Sequence, residues 1–159
     1  MRESTSAQPD HSGVKFPPPF IFAASLLIGW VIHRKWPLRI VPPTVSPWLG
    51  LLLVALAFLL AALSFREFFR ARTTFVPDRP TTAIIRTGPF GYTRNPLYLA
   101  LSLLQVGVSI WVNSAWMAFM LAPALVVLRT RVIAREERYL ERKFGRVYLD
   151  YKASVRRWL

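Results

Sequence analysis

Two neighbouring carboxylates, Glu136 and Glu137, stand in a strongly basic run with Arg129, Arg131, Arg135 and Arg138 around them. Well upstream, the stretch from Gly88 to Leu99 reads GPFGYTRNPLYL. Within it Asn95-Pro96 is a helix-start signal. Asn accepts from orphaned backbone N–H groups at the N-cap, and Pro suits the first helical position. A helix mouth offers free N–H groups and the positive end of the helix dipole, which favour a carboxylate or phosphate. Carboxylates on an opposing wall favour a cation, so the two features together suit a zwitterion. Taken separately, the first reads as a turn before a capped helix and the second as a salt-bridged, solvated helix.

Other chemistries have few residues to draw on. There is no cysteine, which removes disulfides, thiolate catalysis and Cys-ligated metals. His11 and His33 are the only histidines, one in a polar tail and one at the edge of an apolar segment, so no metal site is predicted. No groove-entering module is visible and the basic residues flank apolar runs, so nucleic acid is not expected as a partner.

The chemistry must therefore be positioned by apolar elements. Of the 159 residues, 53% are hydrophobic and mean hydropathy is +0.34, yet the formal net charge is +13. A membrane protein with basic flanks explains that pairing better than a soluble core does. Residues 1–15 are polar and aperiodic and read as a disordered tail, leaving 16–159 as a single domain. Phe16 to Ile32 is uncharged and closes on His33-Arg34-Lys35, which predicts a first span over about 16–33. Four prolines in the link Trp36 to Pro47, at 37, 42, 43 and 47, rule out a continuous helix there. The run after Pro47, WLGLLLVALAFLLAALSF, predicts a second span over about 47–66.

Residues 73–94 form the longest polar connector, where prolines 77, 80 and 89 permit at most a short extended or one-turn element at Thr82 to Ile85. From Asn95 to Leu128 there are 34 residues without a charge. One straight helix of that length would reach about 51 Å, well beyond the roughly 30 Å of hydrocarbon, so a hairpin is predicted, 96–112 and 115–134, turning at Asn113-Ser114. The tail 135–158 reads as amphipathic helices broken at Gly145, with the last piece running to Trp158. The prediction is an all-α polytopic membrane protein with about four transmembrane helices, including the hairpin, and a charged helical cap.

Lys and Arg number six in 66–95 and ten in 129–159, against none in the hairpin turn. The positive-inside rule therefore places the connector and tail in the cytoplasm. The expected location is a plasma membrane, the inner membrane of a bacterium. Arg34, Lys35 and Arg39 then fall on the outer side, against the rule. The hairpin returns the chain to the side it left, so 88–98 must meet 129–151.

Gly88-Pro89-Phe90, Arg94-Asn95-Pro96-Leu97-Tyr98, Glu136-Glu137 followed by Leu140, and Phe144-Gly145 with Tyr148 and Tyr151 resemble the integral-membrane methyltransferases that include isoprenylcysteine carboxyl methyltransferases and phospholipid N-methyltransferases. The resemblance covers about residues 73–159. It implies S-adenosylmethionine as cofactor, bound without a Rossmann fold, with contacts from Thr82, Ala83, Ile84, Ile85, Phe90, Asn95, Pro96, Leu97, Tyr98 and Glu136. Many members have His at the position of Asn95. In the eukaryotic isoprenylcysteine enzymes a substrate-facing Arg lies one turn before the first Glu. Its counterpart here is Val132, leaving Arg131 or Arg135 to take that role with shifted geometry.

A sulfonium is already an activated electrophile, so the resemblance asks of the protein mainly alignment and exclusion of water. Aromatic faces such as Phe90, Tyr92 or Tyr98 would hold the cation. Glu136 would pair with the cofactor's amino group or ribose hydroxyls, and Arg94 with Asn95 and the helix mouth would hold its carboxylate. Glu137 is the candidate base if the acceptor is an amine. The expected activity is methyl transfer to a lipophilic acceptor entering from the lipid bilayer: a lipid amine, a prenylated thiol or carboxylate, or a small thiol. The alternative is a non-catalytic membrane protein whose basic tail binds anionic lipid or a partner protein.

Overall fold

The computed structural model describes residues 17–73 and 82–158, and among these the chain is all helical apart from one isolated parallel bridge, Thr93 to Arg156. The expected tail 1–15 and the prolines at 77 and 80 lie outside the described residues. Helix α1 covers Pro18–Lys35 and α2 covers Ser46–Arg70, each with Pro in its first turn, where the missing N–H costs nothing. Between them Trp36 to Val45 is irregular, as its prolines require.

The hairpin is present. Helix α3 (Pro96–Trp111) ends at a turn in which Asn113 takes a positive φ of 57°, a conformation Asn tolerates better than most residues. Ser114 caps the returning arm by accepting from Met117 N. That arm is not one uniform α-helix. It runs as α4 (Ala115–Phe119) and α5 (Leu121–Val127), then a π-helical stretch Leu128–Ile133, then α6 (Ala134–Phe144). Pro123 supplies the reason for the first break: it has no N–H for the Phe119 carbonyl, and its ring crowds that carbonyl. Gly145, at φ +50°, turns the chain into α7 (Arg146–Ser154).

Two helical segments, Ser46–Arg70 and Ala115–Phe144, are long and apolar enough to cross a membrane. Helix α3 is apolar but shorter, so among the described residues the four-span expectation is supported for two segments. Helices α1 and α2 expose Phe20, Leu27, Ile28, Leu51, Leu52 and Leu59, large apolar side chains that suit lipid better than water.

Small residues let the helices approach closely. A Cβ on Gly50 would lie 2.5 Å from Trp111 N, one on Gly107 2.8 Å from Val54 N, and one on Gly29 2.6 Å from Met117 Cα. Glycine at these points is what brings α2 against α3 and α1 against α4. A buried polar node fixes the register: Ser25 Oγ donates to Gln105 Oε1 (2.8 Å) and Gln105 Nε2 donates to the Met117 carbonyl (3.1 Å), tying α1, α3 and α4 together. With every partner satisfied, such a node selects one packing arrangement.

At one end of the bundle Asn113 knits the turn to the irregular linker, its Oδ1 accepting from Ile40 N (2.8 Å) and its Nδ2 donating to the Val41 carbonyl (2.9 Å). Trp116 Nε1 donates to the Trp36 carbonyl nearby. The opposite end gathers residues 17–19, 83–98 and 136–158.

Candidate functional site

That second end is built on a buried acid. Glu67, in the last turn of α2, is flanked by Arg66 and Arg70 and accepts from Thr87 Oγ1 at 2.6 Å. Gly88, at φ +58°, lies so close that a Cβ there would be 2.9 Å from Glu67 Cγ. The close approach its glycine allows is therefore to Glu67. The 3-10 turn Gly88–Gly91 is pinned further by an edge-on contact between Phe68 and Phe90 (5.3 Å between ring centres) and by the Tyr151 hydroxyl, which donates to the Phe90 carbonyl at 2.8 Å.

After this turn the chain enters α3 through Asn95 and Pro96, as the helix-start signal predicts. Asn95 holds the N-cap position but does not cap with its side chain. Its Nδ2 donates instead to the Arg157 carbonyl at 2.9 Å, because residues 155–158 are drawn alongside 93–95. Arg94 N donates to the Arg156 carbonyl (2.9 Å) and Thr93 Oγ1 to the Arg157 carbonyl (3.1 Å). The predicted amphipathic piece running to Trp158 is corrected accordingly. Helix α7 stops at Ser154, Val155 is extended, and Trp158 packs against the core cluster of Phe22, Leu128, Val132 and Ile133.

The two carboxylates point to different partners. Glu136 Oε1 accepts from the Tyr98 hydroxyl at 2.6 Å. Glu137 is buried and shared by two guanidiniums: Arg157 donates from Nε (3.0 Å) and Nη2 (2.6 Å), and Arg94 Nη1 lies 3.1 Å from Oε1. The Arg94 side chain is only 10% exposed, and its Nε and Nη1 have no hydrogen-bond partner. Nη1 is close enough to Glu137 to feel its charge but is misaligned for a bond, so the contact is an ion pair only. Tyr148 stands beside Arg94; burial, reinforced by Glu137 and opposed by Arg94, pushes its phenol up to about 12.

These groups border one cavity of about 490 Å³, within the ordinary range for small-molecule sites. At its polar end lie Arg94, Glu136, Glu137, Tyr98, Tyr148 and Tyr151. Along α2, α3 and the start of α1 the lining is apolar, with Pro17, Ala57, Phe58, Ala61, Phe65 and Leu104. Of the predicted positions, Ala83, Ile84, Ile85, Phe90, Arg94, Asn95, Pro96, Leu97, Tyr98, Glu136 and Glu137 all border it. Thr82 does not; it is exposed, with its N–H bonded to Thr73 Oγ1. Arg131 is exposed on the π-helical stretch and does not line the cavity, and neither does Arg135. Val132, the counterpart of the substrate-facing Arg, is sealed in the core against α1. Sequence reasoning missed Arg157. Only its place in the polar tail was visible, and nothing there signalled a partner in α6.

The sequence pattern of the phospholipid methyltransferase family matches residues 45–147, more than half of the chain. The chain belongs to the phospholipid methyltransferase family. Methyltransferase activity and membrane association follow at that level. An uncharacterized protein of Haemophilus influenzae (strain ATCC 51907 / DSM 11121 / KW20 / Rd) is 42% identical over 65 residues, which is 40% of this chain and the whole of that relative. No solved structure matches. In this phospholipid methyltransferase family member the matched region includes the Gly88–Gly91 turn, Arg94 to Tyr98 and both glutamates. Tyr148, Tyr151 and Arg157 lie beyond it.

Proposed function

We propose that the protein is a membrane-embedded, S-adenosylmethionine-dependent methyltransferase acting on a lipophilic acceptor, with the acceptor entering from the bilayer and the cofactor from the cytoplasm. The observation that carries this reading is the single cavity that is charged at one end and apolar at the other. The residues fit the cofactor. Arg94 presents buried, unsatisfied N–H groups to a carboxylate, and Glu136, set by Tyr98, presents an oxygen to an ammonium or to ribose hydroxyls. When bound, the cofactor supplies an electrophilic methyl group on sulfonium.

Alignment and dryness are then the protein's task. Phe90 and Tyr98 line the wall where a cation would be held against aromatic faces. The apolar lining from Phe58 to Leu104 orders an acyl or prenyl chain rather than a soluble acceptor. Glu137, expected as a base for an amine, is better suited to anchor Arg94 and Arg157, because taking up a proton would break both ion pairs. The family description makes a phospholipid amine the first acceptor to test, with prenylated thiols and carboxylates as competitors.

The test is incubation of the purified protein with methyl-labelled cofactor and a lipid extract, with mass spectrometry of the products, alongside calorimetric titration with S-adenosylhomocysteine. Methylated lipid and micromolar binding are expected. Failure to bind S-adenosylhomocysteine at all would reject the reading, and binding unaltered in Glu136→Ala would reject the site.

A further inference from the structure

At the centre of the polar end two guanidiniums share one carboxylate, and the sharing is unequal. Arg157 takes both oxygens of Glu137 in a bidentate grip, whereas Arg94 is left with one misaligned 3.1 Å approach. A bidentate pair fixes direction as well as distance. Glu137 is thereby turned toward the carboxy-terminal strap and away from full engagement with Arg94. The cluster carries one positive charge more than it can neutralise, and the surplus is on the side chain that is nine-tenths buried and borders the cavity.

We infer that Arg157 is a positioning residue: by holding Glu137 in its bidentate grip it keeps the buried, unpaired N–H groups of Arg94 available for the carboxylate of the bound cofactor. The inference rests on the cofactor reading above. Without Arg157, Glu137 Oε1, already 3.1 Å from Arg94 Nη1, is free to turn onto that guanidinium. The internal pair would close and the anion site would be quenched.

The strap itself does not depend on that grip. Its backbone is held by bonds from Arg94 N, Thr93 Oγ1 and Asn95 Nδ2 to the carbonyls of Arg156 and Arg157, and its end by the packing of Trp158. An Arg157→Gln variant therefore removes the charge and the fork while leaving the strap in place.

The experiment compares wild-type full-length protein in detergent with Arg157→Gln and Arg157→Lys, titrated with S-adenosylhomocysteine and with methylthioadenosine, which has the nucleoside and thioether but no amino-acid carboxylate. For S-adenosylhomocysteine, affinity is expected to fall on the order of tenfold in Arg157→Gln, the usual scale of a lost hydrogen bond to a charged group, with partial recovery in Arg157→Lys. Affinity for methylthioadenosine and amide exchange at Arg94 should not change. Equal losses for both ligands, or faster exchange at Arg94, would make Arg157 merely structural and overturn the inference. So would unaltered affinity for S-adenosylhomocysteine. If the wild-type protein binds neither ligand, it is the cofactor reading that fails, and the proposed role of Arg157 goes with it.

Discussion

The Tyr98 hydroxyl meets Glu136 Oε1 at 2.6 Å, joining the first turn of α3 to the first turn of α6 in the wall of the cavity. The two residues lie on either side of the whole apolar hairpin, so their contact depends on its length and on the turn at Asn113. Replacing Tyr98 with Phe keeps the ring and removes the donor. The expected loss is about 1.5–3 kcal/mol of cofactor affinity, the range for a bond to a charged group, with little change in folding. Calorimetry with S-adenosylhomocysteine alongside a thermal melt separates the two effects.

Glu137→Gln should act on stability. The substitution leaves Arg94 buried without its counter-charge and weakens the Arg157 fork, and breaking a buried pair from one side costs about 3–5 kcal/mol. Arg157 is partly exposed, which places the expected effect at the lower end of that range. A clear fall in melting temperature in detergent would support this, and an unchanged melt would contradict it.

Thr87→Val tests the wall of the site from outside the cavity. Thr87 Oγ1 donates to buried Glu67 at 2.6 Å and so fixes the turn that carries Phe90. Loss of this donor should raise hydrogen exchange at residues 88–92 while exchange in α2 stays slow. Uniform protection in the variant would show that the Phe68 and Tyr151 contacts hold the turn unaided.

Gly50→Leu should be among the most damaging single changes in the bundle. Its Cβ would fall 2.5 Å from Trp111 N, where the obstacle is backbone and cannot rotate away. Overpacking of this kind costs about 1–3 kcal/mol or more. Gly91→Ala is the matched control, since its Cβ would meet only the Arg86 carbonyl at 3.3 Å. Folded yield and melting temperature of the two variants give the comparison.

Burial also fixes a pH limit. Tyr148 is raised from its ordinary value of 10 to about 12, and burial pushes Tyr151 up as well. The fold thus favours the neutral phenols. The stability this contributes is present in full below pH 10 and is lost as pH rises from 10 through about 12, where the unfolded chain ionises first. Unfolding midpoints measured across that window should fall in the wild type and fall less steeply in Tyr148→Phe.

Much of the architecture was legible in the chain itself. The 34 uncharged residues from Asn95 to Leu128 cannot be one straight span, and Asn113-Ser114 offered the one turn between the arms. Proline placement set the linker at 36–47 and the start of α3, since a missing N–H is a local property. The hairpin then required 88–98 and 129–151 to meet, and much of the cavity wall came from those two stretches.

What the sequence left open was decided by contacts between segments far apart in the chain. Asn95 is read locally as a capping side chain, yet the strap offers its Nδ2 the Arg157 carbonyl. Glu136 and Glu137 are indistinguishable as a dipeptide. Successive positions on a helix point about 100° apart, so one reaches Tyr98 and the other reaches Arg94 and Arg157. Arg131 and Val132 divide in the same way, one to the surface and one to the core. Sequence alone determined the hairpin, the irregular linker and which ends of the chain meet, because periodicity, charge and proline act over a few residues. Only the tertiary structure decided which charge each carboxylate neutralises, because that depends on side-chain direction at a meeting of three segments.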